Sequence, residues 1–288
     1  MTNDLPSTLF HSICVCGAGT MGSGIAQVAA QSGFATILFD LDANVVHKAA
    51  LNIAKNLDAL VAKQKLREEQ KQEILSNLRY TSNLQDCISD MVIEAIVEKE
   101  APKIALFNRL AEINHSETIF ATNTSSLSVS KIAAGVMNPH RVAGMHFFNP
   151  APLMKLVEVV KAEVTSYDVI ESIFTFARKM NKVPVFCHDS PGFIVNRVAR
   201  HYYLEALRLA DEKNIPIECI DDLMEASGFR MGPFRLMDLI GNDINLAVTQ
   251  SVYEAMNLEP RLAPSPMQEM KVEAGELGRK SGKGYYEY

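Results

Sequence analysis

The sequence lacks any apolar run long enough to cross a membrane, and its net charge of −6 leaves it without an excess of basic residues. Nucleic acids and anionic membrane surfaces attract proteins rich in Lys and Arg, so we expect neither as a partner. The first ten residues, MTNDLPSTLF, also lack the basic start and apolar stretch of a secretory signal. These absences favour a cytoplasmic protein that binds neither nucleic acid nor membrane.

Cysteine is scarce and unpatterned, with no C-x-x-C pair among Cys14, Cys16, Cys87, Cys187 and Cys219. An odd number of scattered cysteines is typical of reduced thiols in the cytoplasm. Cys14 and Cys16 share one face of a predicted strand, where two small buried side chains are a simpler interpretation than a metal pair. The seven histidines show no H-E-x-x-H or Cys/His spacing, so no metal site is expected.

The order of apolar and amphipathic segments predicts the fold class. The first half of the 288-residue chain alternates short apolar runs with longer amphipathic ones, which predicts α/β architecture with a mostly parallel, doubly wound sheet. A long helical insert is predicted at about 43–78, after the second strand. The predicted strands are 12–17, 34–40, 90–96, 117–123, 141–148, 155–160 and 183–186.

The pattern changes near Pro191 and Gly192, after which the sequence is typical of helix almost to its end. We therefore predict an α/β domain over 1–187, which includes the helical insert, and an all-helical C-terminal domain over 188–288. Apolar stripes at helical spacing in the second domain predict packing between its helices or against a second subunit.

A glycine-rich segment, GAGTMG at 17–22, joins the first predicted strand to the first predicted helix. This order is typical of a dinucleotide-binding Rossmann-type domain. Gly17 permits the tight turn, Gly19 lets the backbone approach a pyrophosphate, and Gly22 lets the helix pack against the strand. The helix N-terminus, at Thr20 and Met21, offers backbone N–H groups to the phosphates.

An acidic residue, Asp40, ends the second predicted strand, 18 residues beyond Gly22. A carboxylate there accepts hydrogen bonds from a ribose diol and repels a 2′-phosphate, which favours NAD over NADP. Asp42 is an alternative in this role, although a cap of the next helix is the simpler interpretation of Asp42.

The segment HFFNPAPLMKLVEVV, at 146–160, places one imidazole and one carboxylate in a mostly apolar stretch. If its two predicted strands are neighbours, His146 and Glu158 can meet. A carboxylate bonded to one imidazole nitrogen raises the basicity of the other, which makes the pair a general acid–base device for a hydroxyl proton. His146 also lies at the carboxyl end of a strand, where doubly wound sheets bind ligands. A structural histidine is the alternative.

Seven segments, in order and over nearly the full length, resemble the L-3-hydroxyacyl-CoA dehydrogenases, particularly the bacterial 3-hydroxybutyryl-CoA dehydrogenases. They are GAGTMGSGIAQVAA, EAIVEKEAPK, ATNTSSLSV, HFFNPAPLMKLVEVV, DSPGFIVNR, GPFRLMDLIGND and GRKSGKGYYEY. The resemblance implies an NAD-dependent oxidoreductase of fatty-acid or butyrate metabolism, with a short-chain (S)-3-hydroxyacyl-CoA as substrate. It further implies that the helical domain contributes to the substrate cleft and forms a homodimer.

The resemblance also implies roles for individual residues. His146 would be the catalytic base and Glu158 its partner, while Ser125 and Asn196 would hold the substrate's reacting oxygens. The residues implied to contact the cofactor outside the glycine loop are Glu98, Lys103, Asn123, Ser125, Asn149 and Lys280. Simpler interpretations remain: Ser125 as a helix cap, Asn196 as a helix-surface residue, and Glu98 with Lys103 as a surface pair.

A CoA ester carries phosphates, so a protein of net charge −6 needs a local basic patch to bind one. Residues 48–67 contain five basic residues against Asp58 alone, a local charge of +4. We predict that this part of the helical insert binds the CoA nucleotide, with Lys48 and Lys55 as candidate contacts; a solvated helix face is the alternative.

Two other functions compete with this prediction. One is a related hydroxyacid or polyol dehydrogenase that uses the same His-Glu pair without CoA, which the basic insert disfavours. The other is a non-catalytic NAD-binding protein of the same fold. The presence of His146, Glu158, Ser125 and Asn196 together argues against that interpretation.

Overall fold

The computed structural model describes residues 10–288, which form two compact units, one ending at Asp189 and one spanning Ser190–Tyr288. The predicted absence of a secretory signal falls largely on residues 1–9, outside the described part. Within residues 10–288, none of the helices is both long and apolar enough to span a lipid bilayer.

The described residues of the first unit form an eight-stranded sheet in the order β3-β2-β1-β4-β5-β6-β7-β8. Every neighbouring pair is parallel except β6 and β7, which are antiparallel. The predicted α/β class with a mostly parallel, doubly wound sheet is therefore confirmed. The strands are β1 (Ser12–Cys16), β2 (Ala35–Phe39), β3 (Leu78–Thr81), β4 (Met91–Glu94), β5 (Ile119–Thr122), β6 (Val142–Phe147), β7 (Leu156–Lys161) and β8 (Val183–His188).

The helices that follow the strands include two in the region of the predicted helical insert. They are α1 (Thr20–Gln31), α2 (Ala43–Ala62), α3 (Glu68–Ser76), α4 (Glu100–Ala111), α5 (Val129–Ala134) and α6 (Tyr167–Lys179). The sequence did not predict β3, a four-residue strand at the edge of the sheet that begins two residues after α3 ends. Only Thr81 of its residues is buried, so it lacks the apolar run that marks the other parallel strands.

The centre of the sheet, where β1 pairs in parallel with β2 and β4, is apolar on both faces, as is typical of parallel sheets whose faces are covered by helices. Ile13 and Val15 are fully buried in the main core cluster. Cys14 and Cys16 alternate with them and are also fully buried, with their sulfur atoms 3.7 Å apart. This burial accounts for the apolar character of β1, which leads directly into the glycine-rich loop.

The second unit is helical and holds its own C-terminal tail through two buried carboxylates. Asp238 accepts hydrogen bonds from the backbone N–H groups of Tyr285 and Tyr286, each at 2.9 Å. Asp221 accepts one from the Tyr286 hydroxyl at 2.8 Å. The helices of this unit are α7 (Val195–Lys213), α8 (Ile217–Ala226), α9 (Pro233–Ile240), α10 (Asn242–Ala255) and α11 (Pro266–Glu273).

Candidate active site

The glycine-rich loop between β1 and α1 has a geometry that only glycine permits at two positions. Gly17 has φ +100°, and a Cβ on it would lie 2.5 Å from the carbonyl oxygen of Ala95. A Cβ on Gly22 would lie 1.7 Å from the carbonyl oxygen of Gly17. No atom lies within 4 Å of the corresponding position on Gly19, where α1 begins. The loop therefore leaves room for a pyrophosphate at the helix N-terminus, as an NAD site requires.

The carboxylate of Asp40, at the end of β2, lies against this loop. Its Oδ2 accepts a hydrogen bond from the backbone N–H of Ala18 at 2.8 Å. Asp42 caps α2, since its Oδ1 accepts a hydrogen bond from the backbone N–H of Asn44 at 2.8 Å. Asp42 thus has the capping role that its position in the sequence favours, and Asp40 is the carboxylate beside the loop.

His146 and Glu158 lie directly opposite each other on β6 and β7. The Nδ1 atom of His146 is 2.7 Å from Oε2 of Glu158, and the two residues are 6% and 1% exposed. Because Nδ1 is bonded to the carboxylate, proton exchange with a substrate has to use Nε2 of His146. The buried carboxylate also stabilises an imidazolium, so this pair can store a proton taken from a hydroxyl.

The loop after β5 is tied to the strand that carries His146. The side-chain carbonyl oxygen of Asn123 accepts a hydrogen bond from the backbone N–H of Phe147 at 2.8 Å. The carboxyl ends of β5 and β6 are neighbours in the sheet, so residues 123–126, here called the serine loop, lie next to this end of β6. The ring of Phe148 also contacts the imidazole of His146, with centroids 4.6 Å apart.

The carboxylate of Glu98 holds the serine loop. Its Oε1 accepts hydrogen bonds from the hydroxyl of Thr124 at 2.6 Å and from the backbone N–H of Ser125 at 2.8 Å. Ser125 does not cap α5, since the cap is Ser128. Burial alone would raise the pKa of Glu98, but Lys103 and the bonds from Thr124 and Ser125 lower this pKa below its ordinary value.

Lys103 is buried rather than part of a surface pair. Its Nζ lies 3.1 Å from Oε2 of Glu98 and 2.6 Å from Oε1 of Glu94, and the residue is 1% exposed. Glu94 was not among the predicted site residues. A signal for it was present, because Glu94 ends the apolar segment MVIE much as Glu158 interrupts LVEVV.

Three predicted site residues lie outside these contacts. Asn149 follows β6 and is exposed. Asn196, near the start of α7 in the second unit, is half-buried, and its backbone carbonyl accepts a hydrogen bond from Arg200 at 3.1 Å. Lys280, also in the second unit, pairs with the carboxylate of Asp243 at 2.5 Å.

The predicted basic patch begins on the exposed side of α2 and continues past its end, since Lys63, Lys65 and Arg67 follow Ala62. Lys48 and Lys55 are exposed and seven residues apart, so they lie on the same side of the helix. Asp58 pairs with Lys71 at 2.6 Å. Within residues 10–288, no carboxylate forms an ion pair with Lys48 or Lys55, so their positive charge is not neutralised locally.

The sheet combines a dinucleotide-binding loop with a carboxylate-bonded histidine at a strand end. These two features together are typical of a nicotinamide-dependent dehydrogenase. The family model described as the 3-hydroxyacyl-CoA dehydrogenase NAD binding domain matches residues 12–190, and that described as the 3-hydroxyacyl-CoA dehydrogenase C-terminal domain matches residues 192–288. The chain belongs to the 3-hydroxyacyl-CoA dehydrogenase family. The predicted family, the NAD cofactor and the enzyme class are therefore confirmed.

Named relatives agree with this assignment. The chain is 46% identical to the 3-hydroxyadipyl-CoA dehydrogenase of Escherichia coli K12 over 280 residues, which is 96% of this chain and 59% of that protein. It is 40% identical to the 3-hydroxybutyryl-CoA dehydrogenase of Clostridioides difficile, with 96% and 99% covered. The solved structure of 3-hydroxybutyryl-CoA dehydrogenase from E. coli K12 matches with a TM-score of 0.94 at 45% identity, covering 97% of this chain and 60% of that one.

The chain thus spans about three fifths of the two E. coli proteins and almost the whole of the C. difficile enzyme.

Proposed function

We propose that this chain interconverts short-chain (S)-3-hydroxyacyl-CoA and 3-ketoacyl-CoA esters, with 3-hydroxybutyryl-CoA as the representative substrate. The observation that carries the proposal is the 2.7 Å contact between the buried side chains of His146 and Glu158 at the carboxyl end of β6. The same sheet carries the glycine-rich loop of the NAD binding domain. Acid–base and redox functions are therefore available in one unit.

The proposed role of the pair is to move the proton of the substrate hydroxyl. In oxidation, Nε2 of His146 removes the proton from the C3 hydroxyl while Glu158 stabilises the imidazolium through Nδ1. Bound NAD⁺ supplies the acceptor for the hydride that leaves C3. In reduction, His146 returns the proton to the 3-keto oxygen. Ser125 and Asn196 are proposed to hold the reacting oxygens of the substrate.

The proposed cofactor contacts follow the carboxyl edge of the sheet. The glycine loop, including Thr20 and Met21, would bind the pyrophosphate, and Asp40 the adenosine ribose. Lys103 would act through Glu98 because its own ammonium is buried between two carboxylates. Asn123, Ser125 and Asn149 complete the proposed set in the first unit, and the family resemblance adds Lys280 of the second unit.

The charge of Asp40 is expected to exclude NADPH. Replacing Asp40 with Asn removes the repulsion of a 2′-phosphate but keeps an acceptor for the backbone N–H of Ala18. The ratio of kcat/KM for NADPH to that for NADH should rise about tenfold, which corresponds to one charge interaction of moderate strength. Asp42→Asn is the matched control, because Asp42 caps α2 and should leave the ratio unchanged. If the NADPH/NADH ratio rose more in the Asp42 variant than in the Asp40 variant, Asp42 rather than Asp40 would be the residue that excludes the 2′-phosphate.

The substrate class is tested by NADH oxidation with a panel of acceptors. The panel contains acetoacetyl-CoA, a long-chain 3-ketoacyl-CoA, 3-ketoadipyl-CoA and free acetoacetate. We expect the highest kcat/KM with acetoacetyl-CoA and none with the free acid. A preference for 3-ketoadipyl-CoA would favour a 3-hydroxyadipyl-CoA substrate, as in the name of the E. coli relative. Turnover of the free acid without any thioester would favour a hydroxyacid dehydrogenase.

The basic side of α2 is proposed to bind the phosphates of CoA through Lys48 and Lys55. The double variant K48E/K55E should raise KM for acetoacetyl-CoA by about tenfold, since each reversal replaces attraction by repulsion. KM for an acetoacetyl-pantetheine analogue, which lacks those phosphates, should stay within about twofold. Arg109→Glu with Lys179→Glu, on the exposed surfaces of α4 and α6, gives the same change in net charge. Equal effects on both substrates would contradict the proposed contact.

We also propose that the protein is a cytoplasmic homodimer formed through the second unit. In support, α7 and α8 expose large apolar side chains, including Val198 at 66% and Leu223 at 67%. Contiguous apolar patches are typical of surfaces that bind another protein, and we propose that these side chains form such a patch. Sedimentation should give twice the chain mass of 31.8 kDa; a monomer at micromolar concentration would contradict this.

A further inference from the structure

A fully buried carboxylate lies beneath the serine loop, and no step of the proposed reaction uses it. Glu94 ends β4 and is 0% exposed. Its Oε1 accepts hydrogen bonds from Nζ of Lys103 at 2.6 Å and from the backbone N–H of Ile96 at 2.7 Å. Its Oε2 accepts one from the hydroxyl of Thr122 at 2.7 Å. Burying an ionised carboxylate is costly, and both of its oxygens are bonded here.

Two chains of contacts connect Glu94 to the serine loop. The first runs through Lys103 to Glu98, which accepts a hydrogen bond from the backbone N–H of Ser125 at 2.8 Å. The second runs through Thr122, whose O–H group donates to Glu94 and whose hydroxyl oxygen accepts a hydrogen bond from the backbone N–H of Thr124 at 3.3 Å. Glu94 and Thr122 are partners across the β4–β5 ladder, so both chains start from one rigid point of the sheet.

The charges in this cluster depend on one another. Two carboxylates, Glu94 and Glu98, share the single ammonium of Lys103. Burial raises the pKa of Glu94, whereas Lys103 and the bond from Thr122 oppose that rise. If Glu94 were neutral, Lys103 would pair with Glu98 alone. The carboxylate of Glu98 would then be drawn toward Lys103 and away from the serine loop.

We propose that Glu94 is a positioning residue, which fixes Ser125 by sharing Lys103 with Glu98 and by bonding Thr122. The effect on turnover rests on the proposed function, in which Ser125 holds a reacting oxygen of the substrate. Glu94 itself touches neither substrate nor cofactor in this account. Its contribution is to keep the serine loop in one arrangement before the substrate binds.

A double-mutant cycle tests the proposal with NADH and acetoacetyl-CoA. The variants are Glu94→Gln, Ser125→Ala and the two combined. We expect Glu94→Gln to lower kcat about tenfold when Ser125 is present and less than about twofold when it is absent, because residues of one network are not additive. An equal loss in both backgrounds, or no loss in either, would overturn the proposal.

Asp168→Asn is the matched control for loss of a carboxylate beside a buried cation. Asp168 pairs with Arg141 at 3.0 Å in the same unit and belongs to α6. This variant should keep the wild-type kcat. If Glu94→Gln does not fold, Thr122→Val takes its place in the cycle, because it removes one hydrogen bond from Glu94 at nearly constant volume. Thr122→Val should lower kcat at least about twofold only when Ser125 is present, and an equal kcat would count against the proposal.

Hydrogen exchange separates a failure of this proposal from a failure of the proposed function, since it needs no turnover. The backbone N–H groups of Ser125 and Ser126 should exchange about tenfold faster in Glu94→Gln than in wild type, whatever the substrate. Unchanged exchange would overturn the positioning role even if acetoacetyl-CoA is reduced. Faster exchange without any thioester reduction would sustain the role and reject the proposed substrate.

Discussion

Replacing His146 with Gln is expected to lower kcat for acetoacetyl-CoA reduction by about 10²- to 10⁴-fold, the usual contribution of a positioned acid–base group. Gln keeps a hydrogen-bonding side chain of similar length but cannot take up a proton. The dissociation constant of NADH should stay within about twofold, because the glycine-rich loop lies on β1 and α1 rather than on β6. Stopped-flow turnover and NADH fluorescence titration measure the two quantities separately.

The control for this substitution is His115→Gln. His115 lies in the same unit and is exposed, so its replacement should change neither kcat nor NADH affinity. If His146→Gln weakened NADH binding by the same factor as it lowered kcat, the residue would support the cofactor site rather than move a proton. The contact of His146 with Glu158 would then stabilise the fold around the cofactor site and would take no part in proton transfer.

Replacing Gly22 with Ala is expected to weaken NADH binding by about 100-fold. The added Cβ would lie 1.7 Å from the carbonyl oxygen of Gly17, so the turn or the start of α1 has to move. Such a movement removes at least one backbone hydrogen bond to a charged phosphate, and bonds of that kind contribute about 1.5–3 kcal/mol each. Isothermal titration with NADH gives the dissociation constant directly.

Gly135→Ala separates this loss from a general effect of adding a methyl group. Gly135 is the C-cap of α5, and a Cβ on it would lie 2.8 Å from Cδ1 of the Ile104 side chain rather than against backbone. This variant should lose some stability but keep the wild-type NADH affinity. A folded Gly22→Ala protein that binds NADH as well as wild type would show that the pyrophosphate lies elsewhere.

Local sequence patterns were sufficient for most elements of the first unit. Apolar runs such as SICVC and ATILF form largely buried strands, because helices cover the faces of a parallel sheet. The meeting of His146 with Glu158 was also predictable, since a short connection between neighbouring strands brings residues 12 apart opposite each other. In contrast, β3 was not predicted, because this four-residue edge strand is too short and too little buried to show a clear apolar pattern.

The serine loop shows where sequence patterns are insufficient. Glu98 and Ser125 are far apart in the chain and meet only because β4 and β5 are neighbours in the sheet. The burial of Lys103 is likewise a property of packing, as its sequence surroundings, EKEAPK, are typical of an exposed helix start. Family resemblance identified Glu98, Lys103 and Ser125, but the pairing of Lys103 with Glu94 required the structure.

In the proposed reaction, hydride passes from C3 of a 3-hydroxyacyl-CoA to NAD⁺ bound by this chain. Transfer of the label from (S)-3-hydroxybutyryl-CoA carrying deuterium at C3, incubated with NAD⁺ and the purified protein, tests this step. We predict one deuterium in each NADH formed, in step with acetoacetyl-CoA, and no such products with His146→Gln on the same time scale. Bound NAD⁺ without deuterated NADH would contradict the claim and favour a hydroxyacid substrate without CoA or a binding role.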